Sequence, residues 1–115
     1  MGWAYRGARM ITEERLTQAL KYLAETDSPA ANLKTDVERQ SFKLKRVKAT
    51  IFIHSTGNIE QRKAIAETSQ ETIDQEDVYL MAISEHESVS NKRKTEILIT
   101  EIWRSLNANR RVGNI

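Results

Sequence analysis

Two stretches of this 115-residue chain, Ala30 to His54 and Thr72 to Ala108, contain neither glycine nor proline. Segments this long without a turn residue restrict the fold to long helices. The whole chain has four Gly and one Pro, against a usual combined share of roughly 12%. A sandwich or barrel, which needs many tight turns, is therefore disfavoured. A chain of this length holds one small core. It has no Cys, which removes disulfides, thiolate nucleophiles and Cys-ligated zinc. Its apolar runs are only a few residues long, too short to span a bilayer.

Thr12, with Glu13 and Glu14 behind it, reads as an N-cap followed by carboxylates at the positive end of a helix. Leu16, Ala19, Leu20, Leu23 and Ala24 recur at helical spacing, and this first helix is expected to end at Thr26–Pro29. Ser28 then suits an N-cap, with Pro29 at the first position of a second helix. Leu33, Val37, Gln40, Leu44, Val47, Ile51 and His54 form a heptad-like seam along that helix. The β-branched run Ala49–Ile53 lies inside this pattern with no turn before it and is read as helix. Ser55 to Asn58 makes a corner, with Gly57 suited to a left-handed position and Asn58 to a capping box with Gln61.

A short helix is expected over Ile59–Glu67, with Ile59, Arg62, Ile65 and Ala66 near one face. Thr68 or Ser69 would cap the last helix, Thr72–Ala108, whose seam is read as Val78, Ala82, Val89, Ile99, Trp103 and Leu106, with Glu85, Lys92 and Glu96 in its polar steps. Roughly 35 residues of helix make a rod of about 50 Å, longer than a compact domain of this size needs. The expected fold is thus all-α, an elongated antiparallel helical hairpin or small helical bundle with two long helices, self-associating as a homodimer. Residues 1–9 read as a flexible N-terminal extension or upstream start before Met10, residues 10–108 as the helical domain and residues 109–115 as a basic flexible tail.

The net charge of +2 conceals opposed blocks. Lys43, Lys45, Arg46 and Lys48 fall within six residues, whereas Glu71, Asp74, Glu76, Asp77, Glu85 and Glu87 follow one another with no Lys or Arg between them. From Lys92 the sign reverses, with Arg93, Lys94, Arg104, Arg110 and Arg111 set against Glu96 and Glu101. Such blocks steer polyanions or pair with one another. Basic residues on one face can neutralise phosphates, giving salt-dependent binding. At 6% aromatic residues there is no stacking platform for single strands, and no helix-turn-helix spacing or zinc module appears.

Little else points to chemistry. His54 and His86 belong to no metal-ligand or acid–base cluster; His54 reads as a capped helix end and His86 as a solvated face. Asp74 and Asp77 can meet on one face, but Glu71, Asp74, Glu76 and Asp77 are read chiefly as a solvated first turn favoured by the helix dipole. With no phosphate loop or nucleophile elbow, the residues offer no catalytic set, no metal site and no cofactor site. Trp103 is read as core, its competing role being that of a partner anchor.

The segments Ser55–Glu67 (STGNIEQRKAIAE), the acidic run, the NKRK of Asn91–Lys94 and the ending Glu101–Arg111 (EIWRSLNANRR) together resemble a group of small, largely uncharacterised helical proteins of bacteriophages and prophages. The resemblance covers about Met10 to Arg111 and carries over no catalytic residue. It implies an accessory protein from an early recombination or replication neighbourhood, acting in the cytoplasm of the bacterial host. The expected function is therefore non-enzymatic: binding a nucleoprotein partner or DNA through Lys43, Lys45, Arg46, Lys48, Lys92, Arg93, Lys94, Arg110 and Arg111. The alternative is an anti-CRISPR-like inhibitor of a host defence system. In that reading Glu71, Asp74, Glu76 and Asp77 form an acidic partner face that mimics nucleic acid.

Overall fold

The computed structural model describes residues 11–113, with side chains up to residue 109. Over these residues the protein is all-α, with three helices and no strand: α1 (Glu13–His54), α2 (Ile59–Thr68) and α3 (Gln70–Gly113). The extension expected at residues 1–9 lies outside the described residues. The chain divides into two contact units, one made of the residues up to Pro29 together with those from Val89, the other of Ala30–Ser88.

α1 begins as the sequence implies, with the Arg15 amide donating to Thr12 Oγ1 (3.1 Å). It does not stop at Thr26–Pro29, however. The helix runs unbroken through Pro29, and the expected corner and second N-cap at Ser28 are corrected. Two side-chain hydroxyl and guanidinium contacts hold the backbone just before the proline. Thr26 Oγ1 donates to the Tyr22 carbonyl (2.7 Å), and Arg93 of α3 donates to the Leu23 carbonyl (2.9 Å) and to Thr26 Oγ1 (2.5 Å). Pro29 itself is exposed, so its ring faces solvent, and the apolar positions on either side keep the helical period.

In the unit of Ala30–Ser88, Leu33, Val37, Gln40, Leu44, Val47 and Ile51 are all half-buried along one stripe, as their spacing predicts, while His54 is exposed. Ala49–Ile53 is helical. The corner at residues 55–58 forms as expected. Gly57 has φ +117°, and Asn58 and Gln61 close a reciprocal capping box, Gln61 N–H to Asn58 Oδ1 at 2.8 Å and Asn58 N–H to Gln61 Oε1 at 3.0 Å. A Cβ on residue 57 would stand 2.6 Å from that same Gln61 oxygen.

α2 is fastened at both ends. At its start Arg62 donates twice to the Phe52 carbonyl (3.1 and 2.9 Å) and stacks 4.2 Å from the centre of the Phe52 ring. At its end Thr72 Oγ1, fully buried, donates to the Ala66 carbonyl (2.6 Å), satisfying an acceptor that the end of a helix otherwise leaves open. Ala66 is buried, whereas Ile59 and Ile65 are exposed, so only half of the expected α2 face is covered.

α3 starts at Gln70 with the Ser69 carbonyl accepting from the Ile73 amide (3.1 Å). It runs past the predicted end at Ala108 to Gly113. Residues 109–113 thus continue the helix, no Gly or Pro preceding Gly113 to stop it; residues 114–115 lie outside the described residues.

The seam of α3 also needs correction. Ala82, Val89, Ile99, Trp103 and Leu106 are buried or half-buried as read, and Glu96 is buried, but Val78, Glu85 and Lys92 are exposed. The covered line runs instead through Thr72, Gln75, Tyr79, Ala82, His86, Val89, Arg93, Glu96 and Thr100. It alternates three- and four-residue steps, as a coiled-coil seam does, yet most of its members are polar. His86, read as solvated, is half-buried on this line.

Within each unit the long helices pair antiparallel through polar contacts. In the first, Arg15 grips both oxygens of Glu96 (2.9 and 2.6 Å) and Arg93 reaches Leu23, Thr26 and Asp27. In the second, Gln75 Nε2 donates to Gln40 Oε1 (2.8 Å). Among the described residues no buried side-chain polar atom lacks a partner, and the buried apolar residues are three alanines, Ala19, Ala66 and Ala82.

Candidate functional site

The basic residues singled out by sequence divide by what they do. Lys43, Lys45 and Arg46 are exposed on α1, in the unit of Ala30–Ser88, and form no ion pair among the described residues. Lys45 Nζ lies 5.7 Å from the centre of the exposed Phe42 ring, close enough for a weak cation–π attraction. Lys48 is different: it is half-buried, with its ammonium 3.3 Å from Glu67 of α2. It also lines an open groove of about 360 Å³ with Ala49, Phe52, Lys63, Ala66 and Glu67.

The NKRK segment belongs to the other unit and is largely engaged within it. Arg93 is a clamp on α1, bound to two oxygens and 3.5 Å from Asp27. Lys92 Nζ lies 4.6 Å from the centre of the Tyr22 ring. Lys94 is exposed. Arg93, expected among the binding residues, is half-buried on the covered line of α3, with its guanidinium engaged by the backbone and hydroxyl of α1. The side chains of Arg110 and Arg111 lie outside the described residues.

The acidic run is mostly open. Glu71, Asp74 and Asp77 are exposed and Glu76 is half-buried. Asp74 accepts a bond from Gln70 Nε2 (2.8 Å) within the first turn of α3. Among the described residues no three His, Asp or Glu side chains stand together as a metal site. His54, at the end of α1, uses its Nδ1–H on the Thr50 carbonyl (2.8 Å). Among the described residues no helix is long and apolar enough to cross a membrane.

Sequence reasoning missed a second class of surface residue. Phe42 (54% exposed), Leu80 (60%) and Met81 (64%) stand out from the helices together with Ile53, Ile59, Ile65 and Ile73. Apart from Ile59 and Ile65, which were expected on the packed face of α2, their signal was present in the sequence as apolar residues left over once the heptad positions were taken. Trp103, by contrast, is half-buried beside the likewise half-buried Ile99 and Leu106, which suits a packing role. Comparison with protein-family models, with curated proteins and with solved structures finds no match to the chain.

Proposed function

We propose that the protein is a non-enzymatic accessory factor that acts by binding a protein component of a nucleoprotein assembly. The observation that carries this reading is the imbalance of its surfaces. Among the described residues twelve large apolar side chains are exposed, while the buried apolar residues are alanines. Burying apolar area stabilises by about 25 cal/mol per Å², so a partner that covers even part of this surface gains substantially. A phage setting, in DNA recombination or replication within the bacterial cytoplasm, rests on the resemblance of Ser55–Glu67 and Glu101–Arg111.

A tagged chain expressed in phage-infected bacteria tests the reading. The expected result is capture of an identified recombination or replication protein that survives nuclease treatment. Loss of the captured protein on nuclease treatment would place DNA between the two and overturn the protein-binding reading in favour of the basic faces. The inhibitor reading is favoured by one observation, the exposure of Glu71, Asp74 and Asp77 on a segment without positive charge. It requires that reversing these three charges abolish inhibition of a host defence nuclease while helix content is kept.

A further inference from the structure

Within the unit of Ala30–Ser88 the two long helices carry outward stripes of opposite charge and matching spacing. On α1, Phe42, Lys45, Arg46, Ala49 and Ile53 are all exposed. At 100° per residue they fall within about a quarter of the helix circumference. On α3, Ile73, Asp74, Asp77, Leu80 and Met81 are likewise exposed and cover about a third of the circumference. Each stripe has apolar residues at both ends and charge between them.

The spacing lets the stripes fit in either direction. Arg46 follows Phe42 by four residues and precedes Ala49 by three. Asp77 follows Ile73 by four, precedes Leu80 by three and Met81 by four. Laid parallel, Phe42 meets Ile73, Arg46 meets Asp77 and Ala49 meets Leu80. Laid antiparallel, Phe42 meets Met81 and Arg46 again meets Asp77. Lys45 and Asp74 add a second cation and a second anion at the flanks. From these observations we infer that the α1 stripe of one copy docks on the α3 stripe of a second copy of this chain.

The occupant is argued from charge and pattern together. An exposed Phe at 54% and a Leu at 60% want apolar cover, which a phosphate backbone does not provide. The basic stripe wants carboxylates, and the acidic segment of the same chain supplies them on a face of equal reach. Because the contact joins two different surfaces, each copy keeps one donor and one acceptor stripe, and association extends or closes by symmetry. This inference concerns the chain alone and does not depend on the phage partner.

Sedimentation velocity on the purified full chain, from about 1 µM to about 1 mM, tests it. The expected result is a mass that rises with concentration above the 13.2 kDa of one copy. Arg46→Glu and Asp77→Lys are each expected to raise the dissociation constant about tenfold or more, and the two together in one chain to return it to within about threefold of the original. Phe42→Ala and Leu80→Ala, both at exposed positions, are expected to weaken association with the circular dichroism unchanged. A chain that stays at one copy throughout the range overturns the inference, as does a double charge reversal no better than its singles. Salt-sensitive DNA binding by the α1 stripe without self-association would also overturn it.

Discussion

The Arg15–Glu96 pair offers the sharpest test of how the helices of the first unit are held together. Glu96 is 6% exposed and receives two bonds from one guanidinium nitrogen, at 2.9 and 2.6 Å, while a third of the Arg15 side chain still reaches water. The two partners are therefore not equivalent. Arg15→Met keeps the aliphatic stem but leaves a carboxylate buried without its counter-charge. Breaking a buried pair this way costs about 3–5 kcal/mol when both groups are dry, and solvent at Arg15 reduces the expected loss to about 2–3 kcal/mol. Glu96→Leu removes the buried charge itself and frees an arginine that can turn to water, so it is expected to cost less than about 1 kcal/mol. The double variant should lie near the original or above it, since an apolar pair at a seam commonly replaces a buried ion pair without loss. Urea unfolding followed by far-ultraviolet circular dichroism reads these differences. With a slope of about 1–1.5 kcal/mol per molar, Arg15→Met shifts the midpoint down by about 2 M and Glu96→Leu by less than about 1 M. Equal losses, or a larger loss for Glu96→Leu, would refute the assignment of Glu96 as the buried partner.

Four further perturbations probe the corner, the fastening of α2 and the continuity of α1. Gly57→Ala combines a positive φ with a Cβ 2.6 Å from the Gln61 oxygen that closes the capping box, and should cost about 1–2 kcal/mol. Asn58→Ala, which loses the cap but not the turn, should cost about 1 kcal/mol. Both are read by thermal unfolding. Thr72→Val keeps the shape but leaves the Ala66 carbonyl without its 2.6 Å donor; a loss of about 1–2 kcal/mol and faster amide exchange in α2 are expected, and unchanged exchange would show that Arg62 alone fastens α2. Pro29→Ala should stabilise by up to about 3 kcal/mol, since Pro29 sits inside a helix at an exposed position. A loss of stability there would mean that the chain needs the proline to break the helix.

What the sequence revealed and what it concealed follow from the kinds of force involved. The capping box at Asn58, the left-handed Gly57 and the apolar stripe of α1 were legible because each is a local or periodic signal carried by neighbours in the chain. The continuity of α1 through Pro29 was not, because the contacts that support it come from Arg93, far along the sequence. The register of α3 was misread for a related reason. A search for apolar periodicity selects Val78, Glu85 and Lys92 as seam steps, while the helix turns Tyr79, His86 and Arg93 inward.

That rotation decides what the surface can do. The rotation leaves polar, satisfied contacts between the long helices of each unit, Arg15–Glu96 and the Arg93 clamp in one and Gln40–Gln75 in the other, while Lys48 pairs with Glu67 of α2. In exchange it turns Ile73, Leu80 and Met81 outward beside Asp74 and Asp77. Polar seams contribute less free energy than apolar ones of the same length but fix register more strictly. The exposed apolar residues leave hydrophobic stabilisation that only a covering surface would add. Covering them should therefore raise stability as well as affinity. The urea midpoint should climb with protein concentration if a second copy supplies the cover. It should remain constant if the apolar residues on the outer faces stay in water.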